Sequence, residues 1–386
     1  MSELRKPRAK TWVEISSRAL TSNVKAFRSH LSDATQMMAV VKSNAYGHGL
    51  VETATIADAA GAAFFGVDNV DEGISLRKAG IKKPVLILGY TLKDRLLDCV
   101  KNDLSFVVYN LETATALKKL KLRGGKGRMA KVHLKIETGT TRQGVEGDQL
   151  RKLARALKST SGVVIEGAST HYANIEEVAD ISYAEAQLKR FQEAVALLHA
   201  EGIDPPYLHT ACSAAAILFP RTYFNLARVG ISMYGLWPSK ETKEAAKKKV
   251  KTLSLKPVLT WKTVVAQLKK VKKGTAVSYD LTEKVSRDSV VAVLPIGYWD
   301  DFDRGLSGIG HVLIHGRRCK VLGRICMNMC MVDVTGITNV RIEDEVVILG
   351  KQKSEEITAE EIASQIGTIN YEVVTRINPM LPRIVV

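Results

Sequence analysis

Apolar residues in the first 230 positions fall into short runs. Those at 37–43, 64–69, 85–90, 104–109, 131–138, 163–170, 207–212 and 224–230 each read as a buried strand. A stretch long enough for a helix separates each from the next. Eight strand–helix alternations predict an α/β fold, a parallel (β/α)8 barrel of the TIM type. Ahead of them, 11–16 alternates like a short strand and a helical pattern follows to about residue 30. Past Gly235 the texture changes. A lysine-rich segment, 240–251, reads as a linker or surface helix, and the pattern then turns β, at 257–263, 264–269, 289–294, 312–314, 317–322, 329–334 and 346–349. Gly274, Gly308, Gly316 and Gly336 divide these runs. The expected division is a barrel over 1–244 and a mostly β C-terminal domain over 245–386, with the strand at 11–16 free to pack with the second domain. Thr358 opens a helix, with Glu361 three residues on in capping-box style, and a last strand is expected at 384–386.

Laid on this pattern, the polar residues collect in one place. Lys42 ends the first barrel strand, Arg142 follows the fifth and His171 the sixth. Ser213 follows the seventh, and Gly230 and Ile231 follow the eighth. Barrel proteins build their sites at these C-terminal strand ends and bind phosphate with the loops after strands seven and eight. A lysine at the mouth of a buried strand is costly unless used. Desolvation lowers its pKa, and the neutral amine is the form that condenses with a carbonyl. The bland alternative is a lysine that snorkels to solvent.

Composition narrows the classes. No apolar run reaches the length of a membrane span, and the basic N-terminus lacks the apolar core and cleavage site of a secretory signal. Five scattered cysteines fit free thiols in a reducing cytoplasm. Cys326 and Cys330 have no second ligand pair, so no metal is expected. The net charge of +16 would suit an anionic partner, but the lysine runs at 118–126 and 247–251 come with no nucleic-acid motif and read as solvated faces.

The segment 39–49, Ala-Val-Val-Lys-Ser-Asn-Ala-Tyr-Gly-His-Gly, closely resembles the cofactor-lysine segment of alanine racemases. The resemblance implies pyridoxal 5′-phosphate (PLP) on Lys42, with its phosphate held by Tyr46. The stretch 133–144 resembles the family segment whose arginine, here Arg142, reaches the cofactor phenolic oxygen and the substrate carboxylate. Lys135 matches a lysine that some members carry as a carbamate, an anion placed to hold Arg142. In 167–174, His171 matches the histidine flanking the cofactor ring. In 208–215, Ser213 matches a phosphate ligand, while Cys212 stands where the family commonly has asparagine. No base is evident beside Cys212, which argues against a nucleophile. In 227–235, Arg228 matches the arginine facing the pyridine nitrogen, with His209 beneath it, and Val229 stands for the usual proline. Many PLP proteins place an acid there to keep the ring protonated, whereas arginine cannot accept that proton.

The second domain continues the resemblance. Tyr279 matches the second catalytic base, which in the family comes from the partner subunit and implies a homodimer. Asp280 replaces the usual glycine. His171 is expected to hydrogen-bond Tyr279. Tyr298 and Arg304 match residues lining the substrate's way in. Met327 matches a backbone contact to the substrate carboxylate, and Asn328 stands for the usual aspartate. Tyr371 matches the tyrosine that closes over the phosphate. The likeness runs from Trp12 to Arg383. It implies a cytoplasmic two-base racemase interconverting L- and D-alanine, with D-alanine supplied to peptidoglycan. Alternatives are a racemase preferring serine or lysine, or a non-catalytic PLP-binding protein, which on this fold lacks a second domain. Decarboxylases of related fold carry an acid at the ring nitrogen, against which Arg228 argues.

Overall fold

The chain enters on β1 (Thr11–Ile15) and the helix Ser17–His30. Eight strands follow: β2 (Gln36–Val40), β3 (Phe64–Val67), β4 (Val85–Ile87), β5 (Ser105–Val108), β6 (Ala130–Lys135), β7 (Val163–Ser169), β8 (Tyr207–His209) and β9 (Leu226–Val229). In the computed structural model, which describes residues 9–122, 128–250 and 253–386, they form one sheet in the order β8–β7–β6–β5–β4–β3–β2–β9. Every neighbouring pair is parallel. The ends of that order meet, because the Arg228 N–H donates to the Ala211 carbonyl at 3.0 Å and joins β9 to the chain just past β8. The sheet is therefore a closed barrel, and strands such as β4 are buried along their whole length.

The helices between the strands carry the signals that start and orient them. Asn69 and Asn110 cap Val70–Lys78 and Leu111–Lys119, their side chains accepting the Glu72 and Thr113 N–H groups at 3.0 and 2.9 Å. In Gly147–Lys158 the buried set Leu150, Leu153, Ala154 and Leu157 follows the helical repeat and faces the core. The lysine-rich stretch forms the helix Lys240–Lys249, capped by Ser239. Residues 123–126 and 251 of the two basic runs lie outside the described residues. No described helix is long and apolar enough to cross a membrane.

The remaining strands are β10 (Leu259–Val264), β11 (Gln267–Val271), β12 (Ala276–Val277), β13 (Glu283–Lys284), β14 (Ser289–Leu294), β15 (His311–Ile314), β16 (Arg317–Leu322), β17 (Cys330–Asp333), β18 (Glu345–Gln352), β19 (Glu355–Ile357) and β20 (Arg383–Val385). The large sheet runs β11–β14–β17–β16–β15–β18–β10–β1–β20. β1 thus joins it, antiparallel to β10 and parallel to β20. β10 alternates buried Leu259, Trp261 and Thr263 with half-buried neighbours. β12, β13 and β19 are too short to leave a period in the sequence. Thr358 caps the helix Ala359–Ile366 by accepting the Glu361 N–H at 3.1 Å. The Glu361 carboxylate is taken by Arg318 at 2.5 and 2.9 Å, so the expected reciprocal box becomes one cap bond and an ion pair. The described residues gather into two compact units, one on the barrel (19–45 and 53–256) and one on the large sheet (46–52 and 257–386, with β1).

Candidate active site

Lys42 stands two residues past the end of β2, where the backbone turns left-handed. Ser43, Asn44, Ala45 and Tyr46 have φ of 56°, 53°, 54° and 53°. Each such residue costs an L-amino acid about 1–2 kcal/mol. Fixed partners hold the turn. The Ala45 N–H donates to the Val41 carbonyl at 2.8 Å. The Glu72 carboxylate accepts the Asn44 N–H at 3.1 Å with one oxygen and the Asp68 N–H at 2.8 Å with the other. The Lys42 amine lies 3.9 Å from Asp68, and its side chain is 40% exposed.

Lys135 stands at the end of β6. Burial, with the charges of Arg228 and Arg142 nearby, pushes it well below the usual lysine range. The loop that carries Arg142 is tied to the chain at His171: Thr140 Oγ1 donates to the His171 carbonyl at 2.6 Å, and Gln187 donates to the same carbonyl at 3.1 Å. Glu137 shapes this loop by accepting the Gly139 and Thr140 N–H groups at 2.5 and 2.8 Å.

Arg228, on β9, is the hub. It is buried, yet its guanidinium is well partnered. Nη1 donates to His209 Nδ1 and to the His209 carbonyl, both at 2.8 Å. Nη2 donates to the Thr170 and Thr210 carbonyls at 2.8 and 2.9 Å and to His171 Nδ1 at 3.2 Å. Burial and then the Arg228 charge push both His171 and His209 well below the usual histidine range, so both are neutral. The structure brings Lys42, Lys135, Arg142, His171, His209 and Arg228 into one electrostatic group.

Two loops lie beside each other after β8 and β9. Ser213 Oγ accepts the Gly230 N–H at 2.9 Å, which ties the start of the helix Ser213–Leu218 to the Gly230–Ile231 turn. Cys212 does have an acidic neighbour, Glu176, with Sγ 3.9 Å from Oε1. Burial, aided by Glu176, pushes the thiol up to about 11, and burial raises Glu176 as well. The thiol is a deactivated one.

The sheet unit holds the other candidates. The Tyr46 and Tyr371 rings lie with centroids 6.2 Å apart and their planes tilted by 51°. The next residue, Gly47, packs against the helix that carries Tyr371, where a Cβ would fall 1.9 Å from the Val374 carbonyl oxygen. Tyr279 is 68% exposed on a tight turn in which Ser278, Asp280 and Leu281 have φ of 70°, 61° and 50°. Asp280, in place of glycine, adopts the left-handed conformation itself and pairs with Arg324 at 3.5 Å. Ser278 Oγ donates to the Arg324 carbonyl at 2.6 Å, so the Tyr279 turn rests on the strip that carries Met327 and Asn328. That strip also receives the Tyr298 N–H at the Cys326 carbonyl (3.1 Å) and the Trp299 N–H at the Met327 carbonyl (2.9 Å). Arg304 follows in a turn capped by Asp303, which accepts the Gly305 N–H at 2.7 Å. Tyr371 rides on the helix Asn370–Arg376, anchored by Arg376 to Asp301 at 3.0 Å and to Asp303 at 3.5 Å.

The structure adds residues that the motifs did not single out: Glu72, which grips the Lys42 turn, and His133 and Glu166 beneath His209. His133 Nδ1 and His209 Nε2 are 2.9 Å apart, and His133 Nε2 is 3.3 Å from Glu166. His133 lies two residues before Lys135 on β6, which is the only trace it leaves in the sequence.

Fold and side chains together give a barrel unit that carries Lys42, Lys135, Arg142 and Arg228, and a β-sheet unit that carries Tyr46, Tyr279, Tyr298 and Tyr371. The family is equally plain. A family model described as alanine racemase, N-terminal domain, matches residues 15–238, and one described as alanine racemase, C-terminal domain, matches 258–385. The alanine racemase of Methanococcus maripaludis is 38% identical over 97% of this chain and 98% of its own length, and that of Desulforamulus reducens 40% identical over the same shares. The crystal structure of alanine racemase from Bacillus anthracis with bound L-Ala-P superposes with a TM-score of 0.90 at 34% identity, over 99% of this chain and 96% of that one. That from Streptomyces lavendulae gives 0.89 at 33%, over 99% and 98%. The chain belongs to the alanine racemase family.

Proposed function

We propose that this protein is a PLP-dependent alanine racemase, a cytoplasmic homodimer that supplies D-alanine for peptidoglycan. The observation that carries the reading is the buried Arg228 between two neutral imidazoles, beside Lys135, Arg142 and Lys42. This donor set suits a ligand with a dianionic phosphate, a phenolic oxygen and a ring nitrogen that accepts a hydrogen bond. The charges of Arg228, Arg142 and Lys42 all act on Lys135, and the Ser213–Gly230–Ile231 loops offer a cradle of the kind that binds phosphate in barrels.

Lys42, Tyr46, Arg142, His171, Ser213, Arg228, Gly230, Ile231 and Tyr371 would hold PLP. When bound, PLP supplies a carbonyl for the substrate amine and a ring that draws electrons from Cα. Arg142 and the Met327 backbone hold the alanine carboxylate. The Lys42 amine takes or returns the Cα proton on one face, and the Tyr279 phenol of the partner subunit serves the other. Arg228 would donate to the ring nitrogen and, being permanently charged, would neither give nor take a proton there. His171 accepts from Arg228 at Nδ1, so its Nε2–H is free to orient Tyr279. Tyr298 and Arg304 line the way in, where Asn328 carries one negative charge fewer than aspartate.

The test is Cα deuterium exchange of L-alanine in D2O with chiral analysis. PLP-loaded protein is expected to exchange the proton and form D-alanine, and Lys42→Ala to do neither. Loaded protein inert toward alanine would refute the reading, and faster turnover of serine or lysine would refute its substrate.

A further inference from the structure

Behind the candidate site runs a buried line of polar groups that leads away from it. Arg228 Nη1 donates to His209 Nδ1 at 2.8 Å. A guanidinium is only ever a donor, so His209 Nδ1 carries a lone pair and the proton of this neutral ring sits on Nε2. His209 Nε2–H then donates to His133 Nδ1 at 2.9 Å. The same logic places the His133 proton on Nε2, which faces Glu166 Oε2 at 3.3 Å. The Ser105 hydroxyl donates to that oxygen at 2.5 Å. Burial raises Glu166, but the bonds from His133 and Ser105 outweigh it and hold the carboxyl below its usual range. A cation at one end and a carboxylate at the other leave one proton order for the two neutral imidazoles between them.

The backbone is shaped for this line. Val132 on β6 pairs with Ile165 and His133 pairs with Gly167, so Glu166 is an extra residue bulged out of the β7 ladder. A Cβ at Gly167 would lie 2.2 Å from His133 Nδ1, so only glycine lets the imidazole pass. The His133 ring is fully buried and stacks on Tyr207, with centroids 6.2 Å apart and planes at 7°.

We propose that Glu166 and His133 are positioning residues for Arg228: through the proton order Arg228→His209→His133→Glu166 they fix the imidazole tautomers and hold the guanidinium plane at the end of β9. The carboxylate balances the buried guanidinium from a distance, so no acid stands next to it. Only the effect on turnover rests on the racemase reading; the proton order does not.

The test is 15N NMR of histidine-labelled protein, with His133→Gln and His209→Gln to assign the rings. Wild type is expected to show both rings as neutral Nε2–H tautomers across the range in which a free imidazole titrates, about pH 5 to 8. An Nδ1–H tautomer or a titrating ring in wild type would overturn the proposal, whatever the variants do. Glu166→Gln keeps an acceptor for His133 and is expected to keep both tautomers. Glu166→Leu removes it and is expected to mix them. With alanine, Glu166→Leu should lower kcat about tenfold to a hundredfold, the usual effect of losing a partner that orients a functional histidine, with KM changed less. Glu166→Gln should restore most of that loss. Unmixed tautomers and wild-type kcat in folded Glu166→Leu would refute the relay while leaving the racemase reading intact. Absence of racemisation in wild type would refute that reading while the spectra still decide the proton order.

Discussion

Arg228 keeps its charge in the barrel because carbonyls and imidazole nitrogens, all acceptors, surround the guanidinium fork. A lysine could not make this set, since its three donors radiate from one point. Lys135 bears the consequence. A second buried cation beside Arg228 and Arg142 is costly, and the amine answers by shedding its proton at an unusually low pH. The neutral amine is the nucleophilic form. Attack on CO2 would form an N–C bond, release a proton and leave a carbamate anion facing Arg142. We therefore predict that Lys135 is carbamylated. In protein equilibrated with 13C-bicarbonate, a carbamate carbon should appear by NMR and be missing in Lys135→Gln. The sign follows from the depressed amine: the signal should persist at neutral and alkaline pH and fade as pH drops and the amine takes its proton back. A spectrum without it at neutral pH would leave Lys135 a plain amine.

Among the elements, the left-handed turn after β2 stands out, because it runs directly on from Lys42. Four consecutive L-residues in that conformation would relax unless restrained. Glu72 supplies the restraint with both carboxylate oxygens. Glu72→Ala should cost about 1.5–3 kcal/mol, the worth of hydrogen bonds to a charged group, and so weaken PLP binding by about tenfold to a hundredfold. A PLP titration followed by absorbance measures this; unchanged affinity would show that the turn holds without Glu72. This element also marks where the sequence stops being readable. All eight barrel strands are legible: β3, β4 and β5 are buried along their whole length, and β6, β7, β8 and β9, though broken by Lys131, His133, Glu166, His209 and Arg228, still stand out as β-rich stretches between helical ones. The strand-end positions of Lys42, Arg142, His171, Ser213 and Arg228 follow from those runs. The turn is not legible, since Ser43 to Tyr46 contain no glycine to announce positive φ. Nor is the Glu166 bulge, since a bulge shifts the register of one strand against another and leaves each strand's own pattern intact. Nor does the pattern mark Lys135, two strand positions beyond His133, as the lysine that burial and its cationic neighbours depress.

At the scale of the whole molecule, the groups assigned to the two faces of the substrate belong to different units: Lys42 to the barrel unit and Tyr279 to the sheet unit. Tyr279 is largely exposed on its turn, which is held by the Arg324 strip. If each site combines Lys42 of one chain with Tyr279 of its partner, a hybrid dimer has a definite composition. Joining a Lys42→Ala chain to a Tyr279→Phe chain puts both defects into one site and leaves the other site whole. Twofold symmetry makes the two sites equivalent, and random exchange puts half the chains into hybrids, so the mixture should recover about a quarter of the wild-type rate. Each variant alone should stay far below that. If both groups come from the same chain, every site in the mixture keeps one defect and mixing recovers nothing. Unfolding and refolding the two variants together, then following D-alanine formation, separates the two arrangements without any need to know the substrate's exact path in.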